Sequence, residues 1–137
     1  TINAVVKPQK IACAFPELRC TFNGRSIVPD VSVFAWERIP VDANGDIANV
    51  FTLAPDWAIE ILSPEQSQTK VVKKILHCLK NGTSMGWLVD PDDRSVIAYP
   101  PGKQPELFDE EQQLLPVPSL VSAYQLTVGQ LFGWLKL

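Results

Sequence analysis

Trp57-Ala58-Ile59-Glu60-Ile61-Leu62-Ser63-Pro64 is a short apolar run, rich in strand-forming residues, with one acid at its middle. It follows Ala54-Pro55-Asp56 and stops at Pro64, so it reads as a central strand that carries a single charge. Alternation puts Ala58, Glu60 and Leu62 on one face and Trp57, Ile59 and Ile61 on the other. Glu60 thus points away from the largest apolar side chains. A carboxylate in a buried strand is costly unless a metal, a cation or hydrogen bonds compensate it, which makes Glu60 a candidate functional residue.

Downstream, Ser63 is the expected N-cap of a helix with Pro64 at its first position. The helical pattern runs from about 67 to 81 and Gly82 ends it. Residues 86–90 (Gly-Trp-Leu-Val-Asp) form the next strand, Pro91 to Arg94 a turn, and 95–99 an antiparallel return strand. Glu106 to Phe108 and Leu114 to Val117 read as edge elements. Thr127 caps a last helix whose Val128, Leu131, Phe132 and Leu135 share a face.

Upstream, residues 2–7 alternate weakly. Residues 11–15, 19–22 and 26–34 read as β-runs separated by Pro16 and by the turn pair Asn23-Gly24. Asp42-Ala43-Asn44-Gly45-Asp46 has part of the spacing of a calcium loop. Its glycine comes too early and no Glu closes it, so it is read as a surface turn. Strands around one strand-helix-strand unit and a terminal helix predict an α/β (α+β) domain, a mixed central sheet flanked by helices, over residues 1–137.

A chain of 137 residues is long enough to bury one core without disulfides or a structural metal. Twelve Lys and Arg against 15 Asp and Glu create no global basic field, so any nucleic-acid contact must come from a local patch such as Lys7, Lys10, Lys70 and Lys73. Cys13, Cys20 and Cys78 form no Cys-x-x-Cys pair and fit reduced thiols of a cytoplasmic protein. No apolar run is long enough to span a bilayer, and no signal-peptide pattern is present.

A second acid, Asp30 in Val28-Pro29-Asp30-Val31, stands at the mouth of its own candidate strand. On neighbouring strands Asp30 and Glu60 plus a main-chain oxygen would make the hard oxygen site that magnesium or manganese prefers. Among the helical lysines Lys70, Lys73, Lys74 and Lys80, only Lys74 lies beside Cys78 at the edge of the apolar arc Val71, Val72, Ile75, Leu76, Cys78 and Leu79. Its long side chain could reach over the sheet toward Glu60, to orient a water or offset phosphate charge. Plainer readings stand beside these: Asp30 as a turn acid, Glu60 as a structural partner of Lys74, Lys74 as solvated. The lone histidine, His77, reads as a surface residue and excludes a His-Cys metal cluster. No Gly-x-Ser-x-Gly turn or phosphate-cradling glycine loop is present.

The ordered set Val28-Pro29-Asp30-Val31, Trp57 to Pro64, Lys74, Gly82 and Trp87-Leu88-Val89-Asp90-Pro91 resembles the Uma-two family of restriction-endonuclease-like proteins. The resemblance spans about residues 26–100 and implies the PD-(D/E)-x-K nuclease fold, with magnesium-dependent hydrolysis of DNA. It implies that Asp30 and Glu60 bind the metal (Mg2+ or Mn2+), that Ile61 adds a main-chain oxygen, and that Lys74 replaces the lysine expected at Leu62. Two copies would be needed to cut both strands, so a homodimer is expected. The chain departs from the family pattern at Lys70 (usually Asp), Cys78 (usually Tyr) and Met85-Gly86. The Glu-bearing helical segment with which members begin is expected to be lacking before Thr1. Those departures motivate the competing expectation of a catalytically inactive binding or assembly module.

Overall fold

The computed structural model describes residues 2, 3, 7 and 9–135. Its centre is a mixed six-stranded sheet in the order β1-β4-β5-β6-β7-β8. The strands are β1 (Ala12–Pro16), β4 (Val31–Ala35), β5 (Trp57–Ile61), β6 (Met85–Asp90), β7 (Ser95–Tyr99) and β8 (Glu106–Phe108). β5 and β6 are parallel and every other neighbouring pair is antiparallel. The crossover between the parallel strands is α1 (Gln68–Lys80), and α2 (Val128–Trp134) follows the sheet. β2 (Cys20–Phe22) and β3 (Arg25–Ile27) form a separate hairpin. The expected mixed sheet flanked by helices is the observed fold.

The period-two pattern of β5 divides the core. Trp57 and Ile59 pack with Trp87, Val89, Leu126, Leu131 and Phe132 on the α2 face, where the Trp57 and Trp87 rings meet edge to face at 4.7 Å. On the other face, Val71 and Ile75 of α1 pack on Leu88, with Leu62, Ile97 and Tyr99 alongside. Beside α1, Cys78 and Ala58 join the hairpin residues Cys20, Phe22 and Ile27 and the Phe34–Phe51 pair. Strands buried on both faces explain the near-continuous apolar runs of β5 and β6.

Several local expectations are corrected. The run over 26–34 is two strands, because Val28-Pro29-Asp30 interrupts it and Pro29 has no N–H to offer a ladder. Ser63 does not cap α1: residues 63–66 form a turn, Gln66 N–H donating to the Ser63 carbonyl, and Ser67 is the N-cap, its hydroxyl accepting from Lys70 N–H. Leu114 to Val117 forms no strand, only a bridge between Leu114 and Thr127. Thr127 does cap α2, in a reciprocal box with Gln130. Leu76 and Leu135 were placed on apolar faces, yet they are 43% and 38% exposed.

The weak alternation over residues 2–7 falls largely outside the described residues, and Ile2 and Asn3, which are described, are helical. Asn23 and Gly24 both take positive φ in the β2–β3 turn, as their pairing predicts. Asp42 makes the turn expected of it, its Oδ1 accepting from Asn44 and Asp46 N–H. His77 is not a plain surface residue. It stacks on Phe22 at 4.6 Å and, in the Nε2–H tautomer, donates to the Phe22 carbonyl at 3.3 Å, which fastens the hairpin to α1. All three cysteines are free and buried. No helix among the described residues is long and apolar enough to cross a membrane.

Candidate functional site

The pairing of β4 with β5 decides which side chains meet. Val31 faces Ile59 and Ser32 faces Ala58. Continuing that antiparallel register by one residue sets Asp30 opposite Glu60. The two acids, thirty residues apart in sequence, are cross-strand neighbours. Asp30 sits half-buried just before β4, and its Oδ2 accepts a hydrogen bond from the Ile61 N–H at 2.6 Å. That bond fixes the Asp30 carboxyl at the end of β5, beside the acid it faces.

Glu60 is 1% exposed, and neither of its carboxylate oxygens has a hydrogen-bond partner. The Lys74 ammonium comes within 3.3 Å of Oε2, close enough for an ion pair though not aligned for a hydrogen bond. Burial pushes the Glu60 carboxyl from 4.5 up to about 7; the Lys74 charge opposes that rise and the nearby Asp30 carboxyl adds to it. A buried acid with raised proton affinity, facing a second carboxyl and an ammonium, is an unusual cluster for a core. Lys74 itself is half-buried, and its position on α1, one turn before Cys78, carries it over the β5 surface. The sequence-derived Asp30, Glu60 and Lys74 therefore lie together. Ile61 joins them through its N–H.

Ser32 was not anticipated. It is fully buried on the Asp30 face of β4, and its hydroxyl oxygen has no hydrogen-bond partner. The alternation that marks Asp30 would also have marked Ser32 two residues on. Cys78 lies close to Glu60, but burial pushes its thiol up to about 12, too high for a thiolate nucleophile. Lys70 joins Lys74, Glu65 and Gln66 around a cleft of about 410 Å³ at the start of α1. Lys7 lines another hollow, with Cys13 and Trp36.

Unpartnered oxygens on Glu60 and the facing Asp30 carboxyl suit a hard divalent cation. Among the described residues, no three His, Cys, Asp or Glu side chains gather into a metal cluster. A cation here would rest on two carboxylates, with main-chain and water oxygens completing its shell, an arrangement magnesium tolerates because it retains several waters.

Comparison with known proteins agrees with this architecture. A family model described as "Uma2: Putative restriction endonuclease" matches residues 1–129. The chain is 62% identical to a protein of Anabaena variabilis ATCC 29413 whose crystal structure is described as that of "a putative nuclease belonging to DUF820". The match covers 98% of this chain and 75% of that one, with a TM-score of 0.95. No curated protein matches the chain. A family match across nearly the whole sequence, with 62% identity to a solved relative over 98% of this chain, means that the chain belongs to the Uma2 family.

Proposed function

We propose that the protein is a magnesium- or manganese-dependent endonuclease that hydrolyses phosphodiester bonds of DNA at the Asp30–Glu60–Lys74 cluster. The observation that carries this reading is the buried Glu60 carboxylate, both oxygens unpartnered, opposite Asp30 and within 3.3 Å of the Lys74 ammonium. The names of the family and of its solved relative point to the same class of chemistry.

Asp30 and Glu60 would hold the cation with the Ile61 carbonyl, and the cation, when bound, would lower the pKa of water and offset phosphate charge. The Ile61 N–H keeps the Asp30 carboxyl at the end of β5. Lys74 has two tasks. In the resting protein it neutralises Glu60; with substrate present, its ammonium can turn to the non-bridging phosphate oxygens or orient the attacking water. Glu60 must lose its proton to ligate a metal, so loading and deprotonation are coupled.

Plasmid DNA incubated with the protein and magnesium or manganese should be nicked or linearised, and Glu60→Ala should abolish the cutting. Undiminished cutting by Glu60→Ala would sink the assignment. Parallel assays on single-stranded DNA, duplex, branched DNA and RNA identify the polymer. Sedimentation with and without duplex tests the homodimer that double-strand cutting calls for. The reduced thiols suit a cytoplasmic setting, which fractionation of the source cells would test.

The near-complete burial of Glu60 favours one second reading, a nuclease-fold binding or assembly module that has lost catalysis. Calorimetry separates the two. The nuclease gives a saturable divalent-metal heat that Asp30→Ala removes, whereas the inactive module gives none.

A further inference from the structure

The helix that carries Lys74 is basic along its outer face as well. Over Gln68–Lys80 it contains four lysines and no acid, in a protein of net charge −3. Lys70, Lys73 and Lys80 are exposed, and none forms an ion pair among the described residues. At ~100° per residue, Lys74 projects to the β5 side of α1, Lys70, Lys73 and Lys80 cover the outer face, and Leu76 and Leu79 project to the β7 side. There they meet Tyr99 and the β7–β8 connection around a cleft of about 360 Å³, with Lys80 and Lys103 at its rim and Pro100, Pro101 and Pro105 in its wall. That volume lies within the ~300–1,000 Å³ of ordinary ligand pockets. Leu76, 43% exposed, is an apolar wall left open to solvent among the described residues.

Apolar walls, one aromatic ring and two unpaired ammonium groups complement a flat heterocycle joined to phosphates. We propose that this cleft is a nucleotide subsite that takes one unpaired base of the nucleic-acid chain against Tyr99, with Lys80 and Lys103 on its flanking phosphates. The inference rests on the phosphodiester reading of the Asp30–Glu60 site and extends it. Cleft and acids are separated by roughly one helix diameter, ~10–12 Å, and the lysine face of α1 bridges them. A strand crossing that face keeps its backbone beside cations from Lys74 to Lys80, and its base stacks where the lysines give way to Tyr99.

Fluorescence anisotropy tests this with a short labelled single-stranded oligonucleotide, without divalent metal, in a Glu60→Gln background that prevents cutting. Lys80→Gln with Lys103→Gln should weaken binding about tenfold and flatten the slope of log K against log salt by about 1.4, at ~0.7 per phosphate. Tyr99→Leu should weaken binding about tenfold with the slope unchanged, and an abasic strand should not sense that substitution. Thermal unfolding of each variant verifies that it is folded. Absence of binding by the parent, lysine or Tyr99 substitutions within about twofold of the parent, or an equal loss for Tyr99→Leu with the abasic strand would each overturn the subsite. Plasmid cutting with Glu60 intact keeps the two readings apart. A protein that cuts but ignores the cleft substitutions loses the subsite alone, and one that binds through the cleft but never cuts loses the nuclease reading alone.

Discussion

Lys74 sets its ammonium 3.3 Å from a Glu60 carboxylate that is almost wholly removed from water. Removing the cation strands that charge. Lys74→Met should destabilise the fold by about 2–4 kcal/mol at pH above ~8, where Glu60 is ionised, and by much less below pH ~5, where it is neutral. Adding Glu60→Gln should recover most of the loss at high pH. Urea unfolding of the three variants at both pH values checks this, and equal losses at the two would count against the coupling.

Glu60 holds its proton more tightly in the fold, at about 7, than at the ordinary 4.5. Its contribution to stability is therefore full below pH ~4.5 and is lost as the pH rises to ~7, by an amount on the order of 3 kcal/mol. Glu60→Gln should flatten that part of the stability profile. Divalent-metal affinity should move oppositely, rising through pH ~7 as the carboxylate becomes available, with proton release measurable by calorimetry.

A Cβ added at Gly86 would lie 2.5 Å from Ile75 Cγ2, so this glycine sets how closely α1 approaches the sheet. Gly86→Ala should cost about 1–3 kcal/mol. Ile75→Ala removes the clashing methyl, so the double variant should be less destabilised than the sum of the singles, as a double-mutant cycle by denaturant unfolding would read. Strict additivity would contradict the close packing.

Capping offers a sharper local test. Ser67→Ala should cost about 1 kcal/mol because the hydroxyl serves Lys70 N–H, while Ser63→Ala should cost less than ~0.5 kcal/mol. Thermal melts of the two variants would rank them, and the reverse order would restore Ser63 as the cap.

The same pair of serines shows where the chain was legible. Ser63-Pro64 carries a strong helix-start signal, yet Gln66 folds back on it, its side chain accepting from Ser63 N–H, and the turn delays the helix to Ser67. Propensity lost to a local hydrogen-bonded alternative. The strand identity of 57–61 and the face of Glu60 followed from period alone, because a strand buried on both sides has few other ways to lie. Lys74 beside Glu60 followed from helical angles. The direct opposition of Asp30 and Glu60 did not, since register depends on pairing across a long loop that no local pattern encodes. Asp56 went unnoticed for the same reason. Its Oδ2 accepts from Ala35 N–H at the end of β4 and pairs at 2.7 Å with Arg38, three residues further on.

The antiparallel register joining Val31 to Ile59 makes the acid pair a matter of counting. The largely exposed residues 41–50 of the link between the two strands can lengthen or shorten without changing which side chains face each other, because loop closure costs little per added residue. One residue inserted between Asp30 and Ser32 would instead turn Asp30 to the Trp57 face and leave Glu60 without its counterpart. Sequence drift in this lineage should accordingly concentrate in that connection, while the step from Asp30 into β4 and the five residues of β5 keep a fixed length.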